Sequence, residues 1–188
     1  MYNRIFLICN GSNTLSSIGA LQAVEQQTKD TIIWSCGGTG AIIMFLKCLG
    51  YSYSKIFQSV SEIPFLNDMI SFGSLSNSGY EKDNFFVYLN DWIIDKLKES
   101  RIFKVNSTLK DIKDTTKFFP CFIAFKEATQ SFQLINPHNN PDMSIYNAVM
   151  ASLCCRGIMD TFKVDKTVYT DYLGIDSFPS SMVFDLSV

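Results

Sequence analysis

The chain has 188 residues, of which 47% are hydrophobic and 14% aromatic. This length and composition fit one globular domain over residues 1–188 and exclude an intrinsically disordered protein. Sixteen basic residues against eighteen acidic ones give a formal charge of −2, without a block of Lys or Arg, so we expect no nucleic-acid partner.

The cysteines and the apolar runs indicate the cellular compartment of the protein. The six cysteines lie mostly inside apolar runs, where reduced cysteines behave as small hydrophobic residues. We therefore expect no disulfides and an intracellular, reducing location. No apolar run reaches membrane-spanning length, and the opening MYNRIFLICN is typical of a strand and not of a signal peptide. A single histidine, His138, excludes a multi-histidine metal site, and we expect neither metal nor cofactor.

The first predicted elements are a strand over Ile5–Cys9, a polar loop and a helix over Leu15–Gln27. The loop follows the carboxyl end of the strand, where open α/β sheets bind ligands and where a helix N-terminus offers unpaired N–H groups. Gly11, Ser12 and Asn13 in this loop are therefore candidate binding residues. The alternative is a plain connection in which a polar residue of the loop caps the helix.

Residues 30–50, DTIIWSCGGTGAIIMFLKCLG, join two apolar runs through a glycine cluster. We expect a buried strand over Thr31–Ser35, because the run is short and rich in β-branched and aromatic residues. The three glycines of CGGTG predict a tight turn. A helix that is apolar on most of its surface then runs from Ala41 to a C-terminal cap at Gly50.

This strand, turn and helix match the frame of a nucleophile elbow, in which a serine stands between glycines placed two residues either side. Gly38 occupies the position of the serine, with Cys36 in place of the first glycine and Gly40 as the second. Glycine has no side-chain atom that could attack a carbonyl. Gly37 and Gly40 are candidate binding residues of the turn, and Thr39 is a candidate for a displaced nucleophile.

The middle of the chain is mainly helical. Residues 52–80 carry mixed helix and loop signals, and a lid or a substrate-facing segment would fit there. An apolar stripe predicts a surface helix over Asp83–Glu99, and STLKDIK predicts a shorter helix over Ser107–Lys113.

The last third alternates strands and helices. We expect a central strand over Phe118–Phe125 and a returning edge strand over Ser131–Ile135, together forming a hairpin. SIYNAVMASLCCRGIM predicts a tightly packed helix, and KTVYTDYLGIDSFP predicts a strand followed by a loop with two aspartates. The predicted fold is a single α/β domain, with a mostly parallel central sheet and helices on both faces.

The whole chain resembles the patatin-like phospholipase family, in register from the first strand to Pro179. GALQAVEQQ is similar to the first helix of that family, CGGTGAIIMFLKCLGYSYSKI to its serine elbow and the helix after it, and STLKDI to a short helix. PDMSIYNAVMASLCCRGIM resembles the segment before the catalytic aspartate, and VYTDYLGIDSFP corresponds to the Asp-Gly-Gly motif and its downstream proline.

In that family a serine and an aspartate form a catalytic dyad, a glycine-rich loop with an arginine makes the oxyanion hole, and acyl esters of lipids are cleaved. The resemblance implies that Asp171 is the retained aspartate and Gly38 the position of the lost serine. The segment that corresponds to the oxyanion loop is CNGSNT. It keeps one glycine, Gly11, and Asn13 stands at the position of the arginine. The two glycines after the aspartate are also replaced.

Three functional hypotheses follow. The first is a patatin-like protein that serves as a non-catalytic binding or structural component, because three catalytic parts have departed together. The second is a lipid acyl hydrolase, a phospholipase or esterase, that uses a displaced nucleophile at Ser35, Cys36 or Thr39. The third is an assembly subunit of a viral particle or another large complex.

The third hypothesis rests on two indirect features. A composition rich in Asn, Ile, Lys, Phe and Tyr suggests a low-GC genome. The chain also ends soon after Pro179, where family members often continue, so the domain would be shortened at its C-terminus. The partners expected from the three hypotheses are a lipid or acyl ligand, other proteins, or a second copy of this chain.

Overall fold

The structure, a computed structural model, describes residues 4–9, 13–27, 33–63, 82–116, 118–154 and 161–170. The strands in these ranges are β1 (Arg4–Cys9), β2 (Ile33–Gly38), β3 (Phe119–Lys126), β4 (Ser131–Ile135), β5 (Thr161–Val164) and β6 (Thr167–Thr170). The helices in these ranges are α1 (Thr14–Gln27), α2 (Gly40–Cys48), α3 (Tyr53–Ser61), α4 (Lys82–Glu99), α5 (Leu109–Thr116) and α6 (Ile145–Ser152).

The described strands form one sheet in the order β1-β2-β3-β6-β5, with β4 also paired to β3. This confirms the predicted single α/β domain with a central sheet. Among the described strands the sheet is mixed and not mostly parallel, since β1–β2 and β2–β3 are parallel while the other three pairings are antiparallel. The loops between β3 and β4 and between β5 and β6 are too short for a crossover, so each forces an antiparallel hairpin.

Strand β2 extends further along the chain than the predicted Thr31–Ser35. It begins at Ile33 and continues through the glycine cluster, where Gly37 pairs with Ile8 and Gly38 pairs with Cys9. The parallel ladder with β1 therefore carries the first two glycines into the strand, which ends at Gly38, three residues later than predicted.

Two other differences concern helix length and an extra strand. Helix α6 ends at Ser152, although the apolar run continues past it, and Leu153 forms its C-terminal cap. Strand β5 has no counterpart in the prediction. It pairs with β6 through a two-residue turn in which Asp165 has a φ of +52°.

The core centres on α2, whose residues are buried except for Lys47. Within the apolar runs from which the sequence predicts buried elements, Ile43, Leu46, Phe122 and Ile123 are fully buried. Ile33 is half-buried because it starts its strand. Thr31 and Ile32 lie outside the described residues.

Candidate functional site at the strand-to-helix elbow

The elbow joins the end of β2 to the start of α2. Gly38, the last residue of β2, has a φ of +58°, and α2 begins two residues later at Gly40. A positive φ of this size places the backbone in the left-handed region, which favours glycine over residues with a Cβ. The turn expected at Gly38 is therefore present.

Gly40 allows the first turn of α2 to pack directly on β1. A Cβ added at Gly40 would lie 2.9 Å from the main-chain oxygen of Leu7 and 3.3 Å from Cγ of the same residue. Real Cβ atoms essentially never approach a backbone oxygen this closely. The second glycine of the elbow is thus required by packing, whatever chemistry the elbow performs.

Thr39, between these two glycines, is tied to β1 and α1. Its N–H donates to the main-chain oxygen of Cys9 at 3.0 Å, and its Oγ1 donates to the same oxygen at 2.9 Å. Its Oγ1 also lies 2.6 Å from Oγ1 of Thr14, the first residue of α1. Because a hydroxyl carries one hydrogen and that of Thr39 goes to Cys9, Thr14 is the donor of the second bond.

These contacts engage both the N–H and the hydroxyl hydrogen of Thr39. The residue is 1% exposed. In a nucleophile elbow, the N–H of the residue after the nucleophile is one of the oxyanion donors. Thr39 holds that position here, and its N–H points to the oxygen of Cys9. Strand β1 is thus hydrogen-bonded to the elbow.

The two other candidate nucleophiles are buried in β2. Ser35 is 1% exposed, and its hydroxyl has no hydrogen-bond partner within the described part of the chain. Burial raises the pKa of the Cys36 thiol well above its ordinary value, and the neighbouring thiols of Cys9, Cys48 and Cys121 raise it further. Cys36 is therefore a neutral thiol at physiological pH, not a thiolate.

The thiols around the elbow are reduced and apolar in character. The buried cysteines in the described ranges are Cys9, Cys36, Cys48, Cys121 and Cys154. Burial raises the pKa of Cys9, although a hydrogen bond with Ser17 opposes the shift. Across the described ranges, no group of three or more His, Cys, Asp or Glu side chains is arranged to hold a metal ion.

Strands β2 and β6 approach the elbow from opposite directions along one edge of β3. Phe122 pairs with Cys36 of β2 and Phe125 pairs with Thr170 of β6, while both also pair with β4 on the other edge. Since β2 runs parallel and β6 antiparallel to β3, their carboxyl ends point toward each other. Cys36 and Thr170 are offset by three positions on β3, about 10 Å along the strand.

Ser152, the last residue of α6, bridges the place where β2 leaves β3. Its hydroxyl donates to the oxygen of Ile123 at 2.7 Å and lies 3.4 Å from the oxygen of Cys36. The side chain is fully buried. A serine at the end of an apolar helix gave no sign in the sequence of this role, because its partners are on two strands distant in the chain.

The remaining predicted site residues are only partly described. Gly11, Ser12 and Asp171 lie outside the described residues. Asn13 is exposed, and its main-chain oxygen accepts hydrogen bonds from the hydroxyls of Ser16 and Ser17 at 3.0 and 2.7 Å.

No protein-family model matches the chain, and no curated protein matches it in sequence. Solved structures do match the chain in fold. VipD from Legionella pneumophila aligns with a TM-score of 0.58 at 12% identity, over 90% of this chain and 46% of VipD. The type III effector ExoU, from Pseudomonas aeruginosa, aligns with a TM-score of 0.53 at 17% identity, over 80% of this chain and 39% of ExoU.

These alignments concern the fold. They support the patatin-like fold that the sequence resemblance implies. The chain spans less than half the length of either protein. No helix in the described ranges is both long enough and apolar enough to cross a membrane.

Proposed function

We propose that this chain is a patatin-like protein that has lost its serine nucleophile and acts as a non-catalytic binding or structural component. The observation that carries the proposal is Gly38, which occupies the end of β2 with a φ of +58° directly before α2. The backbone has the turn that an elbow needs, and the residue at its apex offers no oxygen or sulfur for attack.

The surroundings of Thr39 support the same conclusion. An oxyanion hole needs N–H donors that are free to meet the developing charge, and loss of one such donor typically costs about 10²- to 10³-fold in rate. The N–H of Thr39 already donates to Cys9. The adjoining loop keeps one glycine, Gly11, and carries Asn13 in place of the arginine that the resemblance calls for.

We further propose that Asp171 is the retained dyad aspartate and lies beside Gly38. Thr170, its neighbour in sequence, ends β6 on the edge of β3 that β2 also occupies. Without a serine to orient, the carboxylate is free to accept hydrogen bonds from the backbone of the elbow.

The proposal is tested by assaying the purified chain on short-chain esters and on phospholipid vesicles. We expect no turnover above that of a Gly38→Ala variant, which has the same lack of a nucleophile. Hydrolysis by the wild-type chain that the Gly38→Ala and Asp171→Asn variants also show would point to a contaminant. Hydrolysis that Asp171→Asn abolishes would overturn the proposal.

The competing function is a lipid acyl hydrolase with a displaced nucleophile at Thr39. Burial of this hydroxyl and its donation to Cys9 weigh against it. Were hydrolysis found, Thr39→Val would have to remove it while leaving the fold intact. Retained hydrolysis in Thr39→Val would exclude this version.

The kind of partner is tested by purification from the source. A chain that is recovered with fixed protein partners, or as a defined homo-oligomer, would be an assembly component. A monomer that carries lipid, identified by mass spectrometry of an organic extract, would be a carrier of a lipid or acyl ligand.

A further inference from the structure

The loop between α4 and α5 combines basic and aliphatic side chains on one exposed segment. Residues 100–107, SRIFKVNS, hold two basic residues and no acidic one, and we call them the basic loop. Arg101 and Lys104 are exposed. Ile102 is 59% exposed and Val105 is 38% exposed. Cationic and aliphatic groups therefore alternate along the same loop.

The backbone of the basic loop is fixed by its own hydrogen bonds. Oγ of Ser100 accepts from the N–H groups of Ile102 and Phe103 at 3.2 and 3.1 Å. Oγ of Ser107 accepts from the N–H of Lys104 at 2.9 Å, and the N–H of Ser107 donates to the oxygen of Lys104 at 2.9 Å. Phe103 is 3% exposed and anchors the loop in the core. The exposed side chains are thus held outward on an ordered frame.

The charges near the basic loop leave its cations unpaired within the described ranges. The acidic residues of the preceding helical turns are already engaged, Asp95 with Lys98 at 3.1 Å and Glu99 with Lys96 at 3.2 Å. No ion pair of the basic loop itself is found in the described part of the chain. Two cations are therefore available to an anionic partner.

We propose that the basic loop docks on the surface of an anionic lipid bilayer. Arg101 and Lys104 bind the phosphate and carboxylate groups of the lipids, and Ile102 and Val105 enter the boundary between headgroups and acyl chains. A protein partner fits the loop less well, since the centres of protein interfaces are enriched in aromatic residues, of which the loop exposes none, and lysine is depleted there. The docking goes beyond the function proposed above and does not depend on the chemistry of the elbow.

The test is co-sedimentation of the full chain with vesicles of phosphatidylcholine, alone or mixed with phosphatidylserine. We expect binding to the mixed vesicles alone, weakening as salt is added. The double variant Arg101→Glu, Lys104→Glu should lower the partition coefficient at least about tenfold. Ile102→Ser with Val105→Ser should also lower it, while the dependence on salt stays that of the wild type.

The matched control is Lys163→Glu with Lys166→Glu, which changes the net charge by the same amount; Lys163 is an exposed residue of β5, and Lys166 is exposed on the turn between β5 and β6. It should bind as the wild type does. A second readout is Ile102→Trp, whose emission should shift to shorter wavelength when mixed vesicles are added. Thermal melts establish that each variant is folded.

Three results would overturn the proposal. The first is that the wild-type chain shows no preference for phosphatidylserine, and the second is that the control variant loses as much binding as the loop variant. The third is that the loop binds an acidic protein while vesicles leave the Trp emission unchanged. None of them bears on the elbow, whose function is tested separately by hydrolysis.

Discussion

The main-chain oxygen of Cys9 accepts both the N–H and the hydroxyl of Thr39, at 3.0 and 2.9 Å. One residue ends β1 and the other joins β2 to α2, so the pair fastens the first strand to the elbow. Thr14 adds the start of α1 to the same contact through a bond of 2.6 Å. The end of β1, the start of α1 and the start of α2 therefore meet at these three residues.

The first prediction concerns the two hydroxyls. Thr39→Val keeps the shape but removes the acceptor of the Thr14 hydroxyl and one donor to Cys9, and should cost about 1–3 kcal/mol of unfolding free energy. Thr14→Val should cost less, because Thr39 then keeps its bond to Cys9. The double variant should lose less than the sum of the single variants, with a coupling of at least about 0.5 kcal/mol in urea unfolding. Additive losses would contradict a direct bond.

The second prediction concerns Gly40. Gly40→Ala places a methyl group against the backbone of Leu7 and should destabilise the protein by about 1–3 kcal/mol. The matched control is Gly19→Ala on the exposed side of α1, where an added Cβ meets nothing within 4 Å. That change should stabilise by about 0.5–1 kcal/mol through helix propensity. Equal effects of the two substitutions would show that α2 does not pack as described.

A third prediction is that Gly38→Ser fails to create an esterase. The new hydroxyl would stand at the apex, but the N–H of Thr39 stays with Cys9 and the oxyanion loop lacks most of its glycines. We expect turnover of a short-chain ester equal to that of a Gly38→Ser, Asp171→Asn control. Turnover well above this control would show that the site is preorganised and that one substitution removed its activity.

The fourth prediction concerns Ser152. Ser152→Ala removes the donor to the oxygen of Ile123 in a fully buried site, and should lower the unfolding free energy by about 1–3 kcal/mol. Ser16→Ala, on the exposed side of α1, is the control and should stay within about 0.5 kcal/mol of the wild type. Amide hydrogen exchange at Ile123 and Ala124 should accelerate only in Ser152→Ala, since the junction between β2 and β3 loosens.

The last prediction is a loss of stability at alkaline pH. Burial raises the pKa of Cys36 in the folded chain, whereas in the unfolded chain the thiol titrates near pH 8.5, about its ordinary value. The stability that the neutral thiol contributes is therefore complete below that pH and falls as pH rises further. By about pH 9.5 the loss should reach about 1 kcal/mol for each such thiol.

The measurement is urea unfolding at a series of pH values from neutral to this limit, where the tyrosines, with an ordinary pKa near 10, ionise alike in the wild type and in the variant. Cys36→Ala should start lower at neutral pH because it leaves a small cavity, but its stability should fall less steeply with pH. Parallel slopes for Cys36→Ala and the wild type would mean that this thiol ionises freely in the folded chain.

The sequence by itself determined which main elements are helices and which are strands. It also identified the glycine that occupies the serine position of the elbow, Gly38. The apolar runs around Ile43 and Phe122 identified a buried helix and a buried strand, because periodicity and burial are recorded locally along the chain. The glycine cluster located the turn to within one residue, since few residues other than glycine adopt the φ found at Gly38.

Only the tertiary structure decided which strands are neighbours and what closes the elbow. The antiparallel pairing of β6 to β3 makes the sheet mixed, and the bonds of Thr39 join positions 25 and 30 residues apart in the chain. Periodicity within a strand tells which face is buried, but it does not tell which other strand supplies the hydrogen bonds along its edge. The hydrogen bonds among Cys9, Thr14 and Thr39 could therefore be found only in the tertiary structure.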